Sequence, residues 1–205
     1  MNTVVHPIPP LFNEHSRILI LGTMPSPKSR ERAFYYMHTQ NRFWPVLAVI
    51  FEEKLVYKND GSMIFLTETE QKSSVQKKIH NADIQSAVQE RRALALRHGI
   101  ALWDVLASCD IEGAEDSTIR NPIANSFTKI IKNTKIERIY CTGKTSLSLY
   151  KKLCEQKVTN YCIQKLHCEP IPVFGLPSTS PANRGRYPLD LLIKEYSVIA
   201  NSNSK

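Results

Sequence analysis

Short apolar runs alternate with longer stretches of helical periodicity along this chain. The runs occupy residues 17–22, 100–106, 136–142 and 171–176, each too short for a helix and each followed by a turn or helix signal. Runs that stay apolar on successive positions predict strands covered on both faces, as in a parallel sheet. Between them, residues 41–51 place apolar side chains at 43, 44, 47, 50 and 51, which fall on one helical face. Residues 81–98 are rich in Ala, Leu, Gln, Glu and Arg and stop at Gly99, a C-cap residue. Residues 145–155 and 188–199 predict two further helices, with Pro188 suited to a first turn. Alternating strands and helices imply right-handed crossovers, hence an α/β three-layer α/β/α sandwich around a four-stranded parallel sheet.

Two stretches break this pattern. The polar residues 52–78 predict an excursion between elements, and residues 108–126 predict a long loop after the second strand. A length of 205 residues fits a single domain spanning 1–205, with residues 1–16 and 200–205 expected at its periphery.

Composition adds a partner class. The formal charge is +8 with a pI near 9.3, which favours a polyanion. Lys77-Lys78, Arg91-Arg92 and Lys151-Lys152 read as solvated helix faces, whereas Lys28, Arg30 and Arg32 fall inside the most informative loop of the chain. No run approaches a membrane span and the first residues lack a signal-peptide pattern, so a cytoplasmic protein is expected. The five cysteines contain no C-x-x-C pair, and buried or incidental thiols explain them better than disulfides or a metal centre. Gly143-Lys144-Thr145 ends like a phosphate loop, but Arg138 stands where that motif needs glycine.

In open α/β sheets, ligands bind beyond the carboxyl ends of the strands. The loop after the first predicted strand begins Gly22-Thr23-Met24-Pro25-Ser26. It then gathers Tyr35, Tyr36, His38, Gln40, Asn41, Arg42, Phe43 and Trp44. Hydrogen-bonding and stacking groups at that density suggest a pocket for a flat, polar, aromatic ligand, and a nucleobase is the natural candidate. A third loop at the same edge, residues 177–187, reads PSTSPANRGRY. Its Ser178, Thr179, Ser180, Asn183 and Arg184 suit phosphate, although a plain turn would look similar.

These blocks, LILGTMPSPKSRE, FYYMHTQNRFWPVL, IALWDVL, DSTIRNPIANSF and GLPSTSPANR, resemble the uracil-DNA glycosylase superfamily in the family's order, from Ile18 to about Arg186. Within it they resemble the hypoxanthine-DNA (deoxyinosine) branch, often described as G/U mismatch-specific. The resemblance implies a monofunctional DNA N-glycosylase without cofactor or metal. Such an enzyme hydrolyses the glycosidic bond of a deaminated base, hypoxanthine first and uracil second, after base flipping. Its partner would be DNA containing such bases, and a monomer is expected. The mismatch-specific relatives carry G-[IV]-N-P-G, whose asparagine positions water; here Met24 holds that place. Asn41 matches the asparagine that the hypoxanthine branch draws from the end of the same motif. Thr39 and Ser126 stand where the family commonly has proline and aspartate.

On this resemblance Asn41 is the catalytic candidate, orienting water or hydrogen-bonding the base. Tyr36 stacks on the base, and the Gly22, Thr23 and Met24 backbone reads its edge. His38, Ser178, Thr179, Ser180, Asn183 and Arg184 contact the DNA. Simpler readings stand beside these: Asn41 as a helix cap, one of Tyr35 and Tyr36 as a half-buried aromatic, Phe43 and Trp44 as core, and His38 as loop filler. Asp104 faces the site edge with no role fixed by sequence. A non-catalytic DNA- or nucleobase-binding protein on the same fold is the alternative.

Overall fold

A computed structural model of the chain describes residues 2–62, 64 and 80–203. In chain order the strands are β1 (Asn2–Val5), β2 (Ile18–Gly22), β3 (Ile100–Asp104), β4 (Leu106–Ile111), β5 (Arg120–Ala124), β6 (Arg138–Thr142) and β7 (Val173–Leu176). The α-helices are α1 (Pro27–Glu31), α2 (Phe43–Ile50), α3 (His80–Arg97), α4 (Thr128–Lys132), α5 (Lys144–Leu153), α6 (Glu155–Tyr161) and α7 (Leu189–Asn203).

The four predicted apolar runs form one parallel sheet in the order β3-β2-β6-β7. Strand β2 is buried along its whole length, and the pleat sends alternate side chains to opposite faces. Ile18 and Ile20 join one core with residues of α2, α3 and α7, while Leu19 and Leu21 join a second with residues of α4, α5 and α6. Two helical layers around one sheet give the expected sandwich.

The chain leaves β2 towards β3 on one side, and leaves β6 towards β7 on the other. The carboxyl ends of β2 and β6 therefore flank the switch point of the sheet, where a crevice opens. Gly22 ends one of these strands and Thr142 the other.

The stretch 108–126 is not a long loop. Residues 106–111 and 120–124 are β4 and β5, which pair antiparallel, and β1 pairs on the other side of β4. Sequence pattern missed them because β5 is mostly exposed and holds Pro122, so neither the alternation nor the apolar run of a strand is visible. Only Val105 separates β3 from β4; its N–H donates to Gly22 O at 2.9 Å, and Leu106 N–H donates to Thr23 O at 3.1 Å. One stretch of chain thus passes from the parallel sheet into the smaller antiparallel one beside the crevice. After β1, Ile8 and Leu11 enter the core, and Leu11 exchanges backbone hydrogen bonds with Leu102.

The polar excursion at 52–78 falls largely outside the described residues; within 52–62, Leu55, Asn59 and Gly61 are buried. Helices α2, α3, α5 and α7 match the predicted segments, with boundaries moved by one to four residues. Among the described residues no helix is long and apolar enough to cross a membrane.

Leu19 is completely buried in the centre of the sheet. Leu19→Ala should cost about 2–5 kcal/mol by lost burial and the cavity left behind. Urea unfolding should show a lower midpoint with an unchanged slope.

Candidate active site

A cleft of about 1100 Å³ opens at the switch point. Its floor is the end of β2 and the turn that follows, Gly22, Thr23 and Met24, together with Thr142 and Gly143 after β6. One wall carries Tyr36, His38 and Asn41; another carries Ser178, Thr179, Ser180 and Asn183. Arg184 is exposed outside the lining, while Arg186 lines it. The three loops expected at this edge do converge there, the second as the β4–β5 connection bearing Asp116.

The loop from β2 to α2 is irregular, and its polar groups are satisfied one by one. Ser26 caps α1 by accepting from Ser29 N–H at 3.2 Å, and Ser29 Oγ in turn accepts from Met37 N–H at 3.1 Å. Asn59 lies beneath the loop and donates from Nδ2 to His38 O at 2.9 Å and Asn41 O at 3.1 Å. Arg91 of α3 holds Asn59 Oδ1 through Nε at 3.2 Å and NH2 at 3.0 Å. Arg91 is 1% exposed, so its expected place on a solvated helix face is corrected: residues 57–59 fold over it and bring carbonyls to its guanidinium. Burial lowers its pKa to about 10, which leaves it a cation at neutral pH.

The basic cluster at the start of the same loop is also largely committed inward. Arg32 donates to Met37 O and Asn59 O, Arg30 to Pro25 O at 2.9 Å, and Lys28 pairs with Glu31 at 2.7 Å.

Asn41 sits ahead of α2 with its side-chain oxygen held twice. Oδ1 accepts from Phe43 N–H and from Thr179 Oγ1–H, each at 2.9 Å. The N-cap of α2 is Arg42, whose side chain makes no capping bond; Asn41, one residue earlier, takes the first helical N–H, so contact with the helix start and the cleft position belong to one side chain. Its carbonyl is engaged, and its Nδ2, which makes no hydrogen bond among the described residues, is the group left for a ligand. Thr179 is 1% exposed and spends its hydroxyl on Asn41, and Asn183 Nδ2 donates to Ser178 O at 2.9 Å. These two shape the third loop from within. Arg42, also buried, clamps that loop to the first by donating to Tyr187 O and to Ser180 O.

Tyr36 adopts φ 57, in the left-handed region that costs a non-glycine residue about 1–3 kcal/mol. Its ring stacks on Phe43 with centroids 3.8 Å apart, and its hydroxyl meets Thr142 Oγ1 at 3.1 Å. Phe43 backs one face of the ring, so a planar ligand in the cleft meets the other. Burial, then the charge of Asp104, holds the Tyr36 phenol well above its ordinary pKa, so it stays protonated. Tyr35, by contrast, is core: it is 1% exposed and donates to Pro9 O at 2.8 Å. Phe43 and Trp44 are core as well.

Acidic groups complete the cleft. Thr23 Oγ1 donates to Asp116 Oδ2 at 2.9 Å, tying the β4–β5 connection to the floor. Solvent reaches Asp116, yet the crowding protein desolvates its carboxyl and, with the charge of Asp104, raises its pKa above the usual carboxylate range. Asp104 ends β3 and is buried, with Oδ2 2.8 Å from His6 Nε2. Sequence offered a sign for Asp104, a charge closing an apolar strand, and none for His6 or Asn59. Among the described residues no cluster of His, Cys, Asp or Glu is placed to hold a metal ion.

Burial also raises the Tyr35, Tyr150 and Tyr196 phenols, beyond the reach of ordinary titration. In absorbance titration, these three and Tyr36 should stay protonated until the fold is lost. Because the unfolded chain ionises tyrosine near pH 10 and the fold does not, stability should be intact below pH 10 and fall as pH rises beyond it.

Residues 9–197 match the family model of the uracil DNA glycosylase superfamily. A hypoxanthine DNA glycosylase of Methanosarcina barkeri (strain Fusaro / DSM 804) is 30% identical over 141 residues, 67% of this chain and 70% of the relative. A second hypoxanthine DNA glycosylase, from Methanosarcina acetivorans, is 26% identical over 182 residues, 86% of each chain. The solution NMR structure of a Methanosarcina acetivorans protein put forward as a uracil DNA glycosylase shares the fold. It has a TM-score of 0.59 at 22% identity and 97% coverage of both chains.

Proposed function

Because the chain belongs to the uracil DNA glycosylase superfamily, we propose that this DNA glycosylase hydrolyses the N-glycosidic bond of a deaminated base, hypoxanthine before uracil. The base is flipped from the duplex and an abasic site is left. Water is the nucleophile, which makes the enzyme monofunctional. The observation that carries this reading is Asn41, pinned by Phe43 and Thr179 beside a tyrosine ring whose far face is already backed.

Extruding a base from a duplex costs a few kcal/mol, and a stacking surface inside the cleft offsets part of that cost. Tyr36 supplies the surface, and its protonated phenol brings no charge against the base. As the glycosidic bond breaks, its electron pair goes to the base and positive charge grows on the sugar. Water adds to C1′ and releases a proton to solvent, while the departing base takes one up. The fixed Asn41 amide donates a hydrogen bond where the base gains negative charge, and the backbone of the floor adds further N–H donors. Holding Oδ1 on two donors fixes the direction of Nδ2 before the reaction, so little reorganisation is needed in the transition state.

DNA would reach the cleft across the third loop. Ser178, Ser180 and Arg184 offer hydroxyls and a charge to phosphates, and His38 lies on the opposite wall. Thr179 and Asn183 act behind them by shaping that loop.

Asn41→Ala should lower single-turnover excision of hypoxanthine on the order of a hundredfold or more, with DNA binding retained. A pure cap would cost only about 1 kcal/mol of stability and spare the rate. Near wild-type excision by this variant would sink the assignment. Wild-type protein that binds such DNA but releases neither hypoxanthine nor uracil would instead be the non-catalytic binder.

Arg184→Ala should weaken binding to different duplex sequences alike, and lower the slope of log affinity against log salt by about 1. Titrations across a salt series measure both effects.

A further inference from the structure

The two helical layers of this protein differ sharply in charge. Residues 128–166, which build α4, β6, α5 and α6, hold nine basic and two acidic residues, a net +7 against +8 for the whole chain. The opposite layer, residues 43–62, 80–97 and 189–203, holds six basic and seven acidic residues. Ile130, Tyr150 and Val158 seat α4, α5 and α6 on one face of the parallel sheet. The eight lysines of residues 128–166 are all exposed, and none makes an ion pair among the described residues. Glu137, one of the two acidic residues, is taken by Arg17 at 3.0 Å. Lys151 and Lys152 are thus exposed as a solvated helix face requires, but they belong to a much larger field.

That field begins at the cleft and leads away from it. Lys144 lines the cleft, and α5 carries Lys152 about 12 Å along the helix from it. Lys135 marks the far edge of the sheet, where its N–H donates at 3.0 Å to Ser16 O, ahead of β2. The cleft itself has the opposite balance, with Asp104, Glu115, Asp116 and Glu195 lining it against Lys144 and Arg186. The strongest complement to a polyanion therefore lies on the flank. Unpaired like charges repel one another, so a bound polyanion relieves a cost that this layer otherwise carries. A protein partner is a poor match: interface cores are depleted in lysine and anchored by aromatic or large apolar groups. Ile163 is the large apolar side chain that the described residues of this stretch expose. Lysines act as point charges on flexible stems, which suits phosphates in any register.

We propose that the outer face of α4, α5 and α6 is a second binding surface for duplex DNA, independent of sequence and separate from the cleft. The inference rests on the reading that this protein acts on DNA, and extends it. One molecule holds a second segment of duplex while its cleft engages the first. Passage from segment to segment then needs no full release, because contacts on one surface persist while those on the other break.

The test uses short undamaged duplexes and the variant Lys151→Gln/Lys152→Gln/Lys157→Gln/Lys165→Gln, none of whose positions lines the cleft. Sedimentation at low salt with duplex in excess should find two duplexes on each wild-type molecule and one on the variant. The slope of log affinity against log salt should become shallower by about 3, since each phosphate contact contributes about 0.9. Single-turnover excision of hypoxanthine at saturating protein should stay within about twofold of wild type. One duplex per wild-type molecule, or a slope change below about 2, overturns the proposal. So does a larger loss of excision, which would place these lysines in the grip of the cleft. Poly-glutamate that binds wild type but not the variant, with one duplex on each, gives the surface to an acidic protein instead. Should the fourfold variant fail to fold, Lys129→Gln/Lys132→Gln on α4 is read in its place, with about half the change in slope expected and an unchanged slope overturning the proposal. Wild-type protein that excises neither hypoxanthine nor uracil defeats the glycosylase reading separately, and stoichiometry and slope on undamaged duplex still decide this surface.

Discussion

Loops that leave a sheet edge and turn inward carry carbonyl groups that no ladder or helix satisfies. In this protein, guanidinium groups turned inward meet that demand. Arg91 reaches the first loop through Asn59, Arg32 reaches it directly, and Arg42 joins the first loop to the third. Each arginine offers several donors in a fixed plane, so one side chain fixes two or three carbonyls at once. The left-handed turn at Tyr36 and the placement of Asn41 both lie within the span these contacts hold. Remove the arginines, and the loops would have no reason to keep a conformation that costs energy locally.

This use of arginine changes how the charge of the chain is to be read. A formal +8 suggests a surface spread for a polyanion. Yet Arg42 and Arg91 are buried and Arg32 is turned onto carbonyls, so part of the positive charge is internal scaffolding. Around the cleft it is further set against Asp104 and Asp116. Those arginines still contribute to the net charge, but they are not available for direct contact with phosphates. Under the proposed function, direct contact with phosphates falls to exposed groups such as Arg184 at the rim of the third loop.

The parallel sheet and its major helices were legible in sequence because each buries an apolar run or stripe that announces itself locally. The β4–β5 hairpin was not, because a mostly exposed strand holding Pro122 takes its identity from partners elsewhere in the chain. The same division runs through the site. Tyr36 and Asn41 stand in one dense polar and aromatic segment, so their loop could be picked out. Arg91 looked like part of a solvated helix face because nothing near it in sequence reveals that residues 57–59 fold over it. His6 and Asp104 are 98 residues apart, and Thr179 meets Asn41 across 138, separations that no local pattern encodes.

Those separations also bear on how the cleft comes into being. Strand β2 cannot pair until residues 100–104 and 138–141 have been brought to its two edges, which are long closures for a chain to make. Parallel pairings of this kind are slow to assemble, and the Asn41–Thr179 contact lies beyond both of them in sequence. The cleft is therefore a late product of folding rather than a property of any fragment. Partly folded chains would expose basic loops able to touch DNA loosely while lacking the geometry to act on a base. The long-range architecture thus keeps an activity that breaks bonds in DNA confined to finished molecules.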